Sequence, residues 1–365
     1  MGTKFNQVGS LCIFGVKDFL WTNEWTRFFE EFNPSGLALF NSPFDSPSNI
    51  WKDKDAALEV VYEFIRKAEE KSVPFVCVDQ EGGRVRRLRG HFIALPSAQK
   101  MTEAHRDRKI SMPDIGKLYQ LAARQMKSSG IALDFAPVCD LRLERSSNVV
   151  GDRSFGSNKA EAIEYIRTCV EAFESEGVHS TLKHFPGHGP TEFDSHEKIA
   201  VIFKEKRELM AEDLKVFEEI APFASAIMTA HIAFAENPER IVSLDKELLE
   251  ELGRNIPKDK YWITDDMLSM KAVSEDRSWR AALECRYDFL LMCGDFGPSL
   301  SAMEDLIRFA ESEYRSFTKE SDLLKRIERS RRAFSRKQAI PPYSQWRKIV
   351  LECELEAASI LEKIG

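Results

Sequence analysis

With 365 residues, 43% of them hydrophobic, the chain is long enough for one large domain or two modest ones, and too apolar to be disordered. A net charge of −7 provides no dominant basic field for phosphates, which argues against a general nucleic-acid binder. The seven cysteines form no Cys-x-x-Cys pair, and Cys12, Cys77, Cys139 and Cys293 sit inside apolar runs, as reduced, buried thiols do. No apolar run approaches a membrane span, and the first residues lack the pattern of a secretory leader. A cytoplasmic protein is expected.

In chain order, Val8–Val16 is an apolar run that reads as a strand. Asn23–Phe32 has helical spacing, with Trp25, Phe28, Phe29 and Phe32 on one side. Pro34-Ser35-Gly36 ends it, and Gly36–Phe40 is a second strand. A loop-like segment to Lys52 precedes a helix over Asp53–Lys71. Val73–Val78 is the third strand, running into Asp79. Pro113–Ser129 is a helix closed by Gly130, and Ile131–Leu141 is a strand region interrupted by Pro137. Asn158 caps a helix extending to Glu176, and Gly177–Leu182 is the fifth strand. Helix Lys204–Ile220, strand Ala224–Ile232, helix Leu244–Leu252 and strand Lys260–Thr264 follow. Helix Asp276–Arg286 leads to the last strand, Tyr287–Cys293. Beyond Pro298 the chain reads as three helical segments ending near Phe309, Phe334 and Ile364.

About eight strand–helix alternations imply a parallel sheet with helical crossovers, and eight units close naturally into a (β/α)8 TIM-type barrel. A doubly wound open sheet is the alternative, but the Gly-x-Gly-x-x-Gly loop expected after an early strand is absent. The expected division is a catalytic barrel over 1–300 with helices packed on it over 301–365. Several apolar runs end in a chemical group: Asp79, Asp140, Lys183-His184, His231 and Asp265. Barrel active sites are assembled from such carboxyl-terminal strand ends, so these groups point to one shared cleft.

The densest of these ends is Gly177–His196, GVHSTLKHFPGHGPTEFDSH. A strand gives way to Pro186, Gly187, Gly189 and Pro190, and then to Asp194-Ser195-His196. Three readings compete: a polar loop with incidental histidines, a metal site from His184, His188 and His196, and a catalytic loop. Clustering of three of only seven histidines weighs against the first. The intervening Pro and Gly prevent the helical His-x-x-x-His face of many metal sites, which weighs against the second. Asp194 lies close enough to His196 to fix its tautomer, raise its pKa and make it a proton carrier near neutrality.

KHFPGHG, followed after four residues by DSH, resembles the signature of family 3 glycoside hydrolases, in particular the bacterial β-N-acetylglucosaminidases of peptidoglycan recycling. WITDDMLSM resembles that family's nucleophile segment, CVDQEGGRVRRL its third-strand motif, and GDRSF a segment whose arginine matches a family position lining the sugar site. The resemblance implies a retaining exo-glycosidase with Asp265 as nucleophile and His196, paired with Asp194, as acid/base. The adjacent Asp266 competes for the nucleophile's role; its alternative fate, and that of the Asp pair as a whole, is to cap the following helix. The same resemblance implies that Asp79, Arg87, Arg153, Lys183 and His184 bind the sugar, and that Gly82-Gly83 lets backbone approach it. Each arginine has a plainer fate as a surface ion pair; Arg84, Arg86, Arg89 and Glu81 read as solvated or structural. The expected substrate is a GlcNAc-containing sugar or muropeptide, with no cofactor, metal, nucleic acid or membrane partner. A β-glucosidase or sugar phosphorylase of the same family, and a barrel that only binds sugar, are the rivals.

Overall fold

The computed structural model describes residues 6–19, 21–40, 53–142, 150–188, 200–202, 205–268, 277–285, 287–312 and 320–365. Eight parallel strands carry the architecture: β1 Cys12–Val16, β2 Gly36–Leu39, β3 Phe75–Val78, β4 Ile131–Asp134, β5 His179–Phe185, β6 Ala226–Thr229, β7 Tyr261–Thr264 and β8 Leu290–Cys293. They pair in chain order from β1 to β7, and β8 lies against β1. A parallel bridge between Ile263 and Phe289 brings β7 to the foot of β8, so the sheet nearly closes into an eight-stranded α/β barrel ringed by helices. Short connections between parallel neighbours need a crossover helix, and the strand–helix alternation supplies one.

The strands are continuous apolar runs because both faces are buried. Along β1–β3 the alternation is visible. Ile13, Ala38, Phe75 and Cys77 point into the barrel, with Leu133, Met228, Ile263 and Leu291 from other strands. Cys12, Phe14, Leu37, Leu39, Val76 and Val78 face the helices. All seven cysteines are free, and all but Cys285 are buried.

Local signals placed many helix ends. Asn158 accepts from the Glu161 amide at 3.2 Å, and Gly177 closes that helix in the left-handed region. Ser111 and Asp114 form a capping box at Met112–Ser128. Some expectations need correction. The first strand begins at Cys12 rather than Val8, because Asn6–Gly9 is helical. Ala98–Arg106 is an additional helix, whose buried face is only Ala98, Met101, Thr102 and Ala104. The Lys204–Ile220 helix is two, Lys206–Ala211 and Asp213–Ile220, broken at Glu212. β4 ends at Asp134 rather than Leu141: Pro137 has no amide to give to the ladder, and beyond it only a single bridge, Val138 to Lys183, continues the pairing. β5 continues through Lys183 and His184 to Phe185.

The C-terminal helix Tyr343–Ile364 packs along Met112–Ser128. Trp346 is fully buried, its indole N–H donating to Ser129 Oγ at 3.0 Å, and Gln125 Nε2 donates to the Val350 carbonyl at 2.8 Å. Helix Glu320–Phe334 ends by inserting Phe334 into the amino-terminal mouth of the barrel. There its ring centroid lies 4.8 Å from Tyr261, 5.6 Å from Phe75 and 5.7 Å from Phe289. No described helix is long and apolar enough to cross a membrane.

Candidate active site

The carboxyl ends of the strands gather the ionisable groups. Asp79 follows β3, Asp140 follows the extended segment after β4, Lys183 and His184 end β5, His231 follows β6 and Asp265 follows β7. Arg87 comes from the far side of a small hairpin, Gln80–Gly82 with Val85–Arg86, and Arg153 from the 3-10 turn Gly151–Arg153.

Lys183 is the junction. Its Nζ donates to Asp79 Oδ1 at 2.7 Å and lies 2.6 Å from Glu81 Oε1. Burial disfavours its ammonium, but Asp79 and Glu81 outweigh that and hold its pKa above the ordinary lysine value. Arg153 grips Glu81 in a two-pronged contact, Nε to Oε2 at 2.8 Å and Nη2 to Oε1 at 2.7 Å. Burial opposes the charge on Glu81 too, yet Arg153 and Lys183 push its carboxyl far below the usual range. Arg87 approaches Asp79 Oδ2 at 3.8 Å and stands over the Phe40 ring at 5.7 Å.

Asp140 organises the turn after β5. Its Oδ2 lies 2.7 Å from His184 Nδ1, and its Oδ1 accepts from the amides of His184 and His188 at 3.2 and 2.7 Å. Burial works against this carboxylate, but the two histidines keep it ionised below the ordinary value. With His184 Nδ1 engaged by a carboxylate, Nδ1 carries the proton and Nε2 faces Arg153 Nη2 at 3.4 Å. Gly187, at φ +117°, passes where a Cβ would come 2.6 Å from Asp213 Cβ, so only glycine fits this turn. Burial is the main force lowering the pKa of His188, to about 4, so this imidazole is neutral.

At β7 the two adjacent aspartates have different fates. Asp266 Oδ1 accepts from the Leu268 and Cys293 amides at 3.0 and 2.7 Å, which ties it to the turn and to β8. Asp265 is only partly buried, and its Oδ1 accepts from the Asp266 amide at 2.8 Å. Burial raises the cost of its charge, while His184, His231, the Asp266 amide and Lys183 together hold the carboxyl below its ordinary value. Asp265 is therefore an ionised carboxylate within the field of the Lys183-His184 pair.

The rim thus brings together Asp79, Arg87, Arg153, Lys183, His184 and Asp265. Asp194 and His196 lie outside the described residues. Sequence reasoning passed over Glu81 as structural, placed Asp140 at the shared cleft without a chemical role, and weighed His188 only as a ligand in the disfavoured metal-site reading. The strand-end position of Asp140 was the available signal; for Glu81 the available signal was its place two residues beyond Asp79. Gly82 and Gly83 are required by the protein's own packing: a Cβ at Gly82 would come 2.3 Å from the Pro96 carbonyl, and one at Gly83 2.7 Å from Ser97 Cβ. Among the described residues no group of three His, Cys, Asp or Glu is arranged to hold a metal ion.

Residues 43–322 match the model of the glycosyl hydrolase family 3 N-terminal domain. A protein of Idiomarina loihiensis named beta-hexosaminidase is 30% identical over 287 residues, covering 76% of this chain and 82% of its own length. A Haemophilus influenzae beta-hexosaminidase is 32% identical over 285 residues, covering 74% and 76% of the two chains. The fold is similar to that of NagZ from Neisseria gonorrhoeae, with a TM-score of 0.76 at 21% identity, over 96% of this chain and 97% of that one.

Proposed function

This chain belongs to glycosyl hydrolase family 3, and from that premise we propose that it is a retaining exo-β-N-acetylglucosaminidase acting on GlcNAc-terminated fragments such as muropeptides. Asp265 attacks the anomeric carbon while His196, partnered by Asp194, gives a proton to the departing glycosidic oxygen. A water, deprotonated by the same imidazole, then attacks the anomeric carbon and releases Asp265. Asp79, Arg87, Arg153, Lys183 and His184 bind and orient the sugar. The division of labour is a catalytic barrel over residues 1–300 with C-terminal helices over 301–365, working in the cytoplasm without a metal or cofactor.

The observation that carries this reading is the split between Asp265 and Asp266. One carboxylate is consumed by backbone amides of its own turn and of β8; the other stays ionised at the rim, beside a lysine–histidine pair. A nucleophile needs that ionised, half-accessible state, and a helix-capping pair does not. The relatives named beta-hexosaminidase support the N-acetylglucosaminide as substrate. The roles of Asp194 and His196 rest on the DSH sequence.

The test compares 4-nitrophenyl N-acetyl-β-glucosaminide with 4-nitrophenyl β-glucoside, each with and without inorganic phosphate and a chelator. Preferential hydrolysis of the N-acetylglucosaminide, indifferent to phosphate and chelator, is expected. Faster release from the glucoside, a sugar 1-phosphate product, or loss of activity to the chelator would each sink it.

A further inference from the structure

Glu81 has no part in the bond-making steps, yet its carboxylate joins the two cations of the rim. Oε1 accepts from Arg153 Nη2 at 2.7 Å and from Lys183 Nζ at 2.6 Å, and Oε2 from Arg153 Nε at 2.8 Å. The Glu81 side chain is 7% exposed, that of Lys183 3% and that of Arg153 13%. The charges along the rim alternate in sign: Arg153, Glu81, Lys183, Asp79 and then, at a longer 3.8 Å, Arg87. We infer that Glu81 is the positioning residue of the sugar site, fixing the Arg153 fork and the Lys183 ammonium relative to each other so that both present their remaining donors to one pyranose. The inference deepens the proposed glycosidase reading and rests on it.

The backbone bearing Glu81 is itself pinned. The Gln80 amide donates to Asp134 Oδ1 at 2.9 Å, and Gln80 Oε1 accepts from the Arg87 and Leu88 amides at 3.0 and 2.9 Å. Glu81 therefore reaches the cations from a fixed base, and its length matters. Aspartate keeps the charge but is one methylene short of bridging both partners. Glutamine keeps the length but removes the charge, leaving Arg153 and Lys183 to repel across a buried gap. Lys183 is then free to lean on Asp79 and on Asp265, whose ionisation it already favours.

The experiment measures kcat and KM for 4-nitrophenyl N-acetyl-β-glucosaminide across pH for full-length wild type, Glu81→Asp and Glu81→Gln. Active sites are counted with a fluorinated N-acetylglucosaminyl fluoride, and Tm is recorded. A wild-type enzyme inert toward this glycoside sinks the activity reading before any variant is compared. With an active wild type, both variants are expected to lose about 10²-fold in kcat/KM per counted site, the scale of catalytic loss from misplacement of about 1 Å. The acid limb should stay in place for Glu81→Asp. It should move to lower pH for Glu81→Gln, since removing a negative charge leaves more positive potential at Asp265. Wild-type kcat/KM per counted site in both variants, or an unshifted limb in Glu81→Gln, would overturn the inference. If Glu81→Gln fails to fold, Glu81→Asp decides on its per-site kcat/KM. If neither folds, Glu81 belongs to the fold alone and the inference is overturned.

Discussion

The two mouths of the barrel are built from opposite materials. The carboxyl-terminal rim holds Asp79, Glu81, Asp140, Asp265, Lys183, Arg153 and two histidines; ion pairs at 2.6 to 2.8 Å join Arg153 to Glu81, Glu81 to Lys183, Lys183 to Asp79 and His184 to Asp140. The amino-terminal mouth is stoppered by Phe334 among Phe75, Phe289, Tyr261 and His179. It also has a cavity of about 630 Å³ against Met112–Ser128 and Tyr343–Ile364, which none of the rim groups lines. The contrast teaches where each kind of energy is spent. Buried charge is weak support for stability, because desolvation offsets attraction; its use here is to hold groups in position. Aromatic burial is non-directional and stabilises without setting any chemistry.

The comparison is broken most directly by substitutions at one end that behave like those at the other. Asp265→Asn should fold with a Tm near that of wild type and lose about 10⁴-fold or more in kcat, the scale seen when a covalent nucleophile is removed. Measurable wild-type turnover in that variant would contradict the division. Phe334→Ala should lower unfolding free energy by about 3–5 kcal/mol, the usual range for emptying a buried aromatic site. Its kcat in the folded fraction should be unchanged; a large fall in kcat with little change in the urea midpoint would merge the two ends.

The smallest expected effect separates them by pH. Glu81 and Asp140 titrate below their ordinary values, so their contribution to stability is present above the unfolded carboxylate pKa and is lost as pH falls through the folded one. Asp288, at the amino-terminal mouth, behaves oppositely. Burial raises its pKa against the bonds it accepts from the Trp262 amide and Ser330 Oγ, so its contribution is present at low pH and is lost as pH rises. Urea midpoints of Glu81→Gln and Asp288→Asn, compared with wild type from pH 3 to 7, should therefore diverge in opposite directions. Parallel curves would remove the distinction.

The sequence exposed the barrel because the strands are buried on both faces and read as unbroken apolar runs, and because caps such as Asn158 and Ser111 are local chemistry. The helix Ala98–Arg106 escaped because its apolar face is narrow and its carboxyl-terminal end runs into the charged stretch His105-Arg106-Asp107-Arg108-Lys109. The break at Glu212 escaped because the apolar spacing continues across it, through Leu209, Leu214 and Phe217. At the site, strand-end position flagged Asp79, Lys183, His184 and Asp265. Glu81 was passed over because its importance lies in contacts with Arg153 and Lys183, 72 and 102 positions away, which no local pattern encodes. Phe334 was legible as an apolar helix position but not as a stopper, because periodicity gives the face and not its partner.

The most direct measurement is peptide mapping by mass spectrometry after inactivation with 5-fluoro-N-acetylglucosaminyl fluoride. The covalent sugar is predicted on Asp265, the carboxylate left ionised at the rim. A label on Asp266, or complete turnover with no label on either residue, would contradict the account.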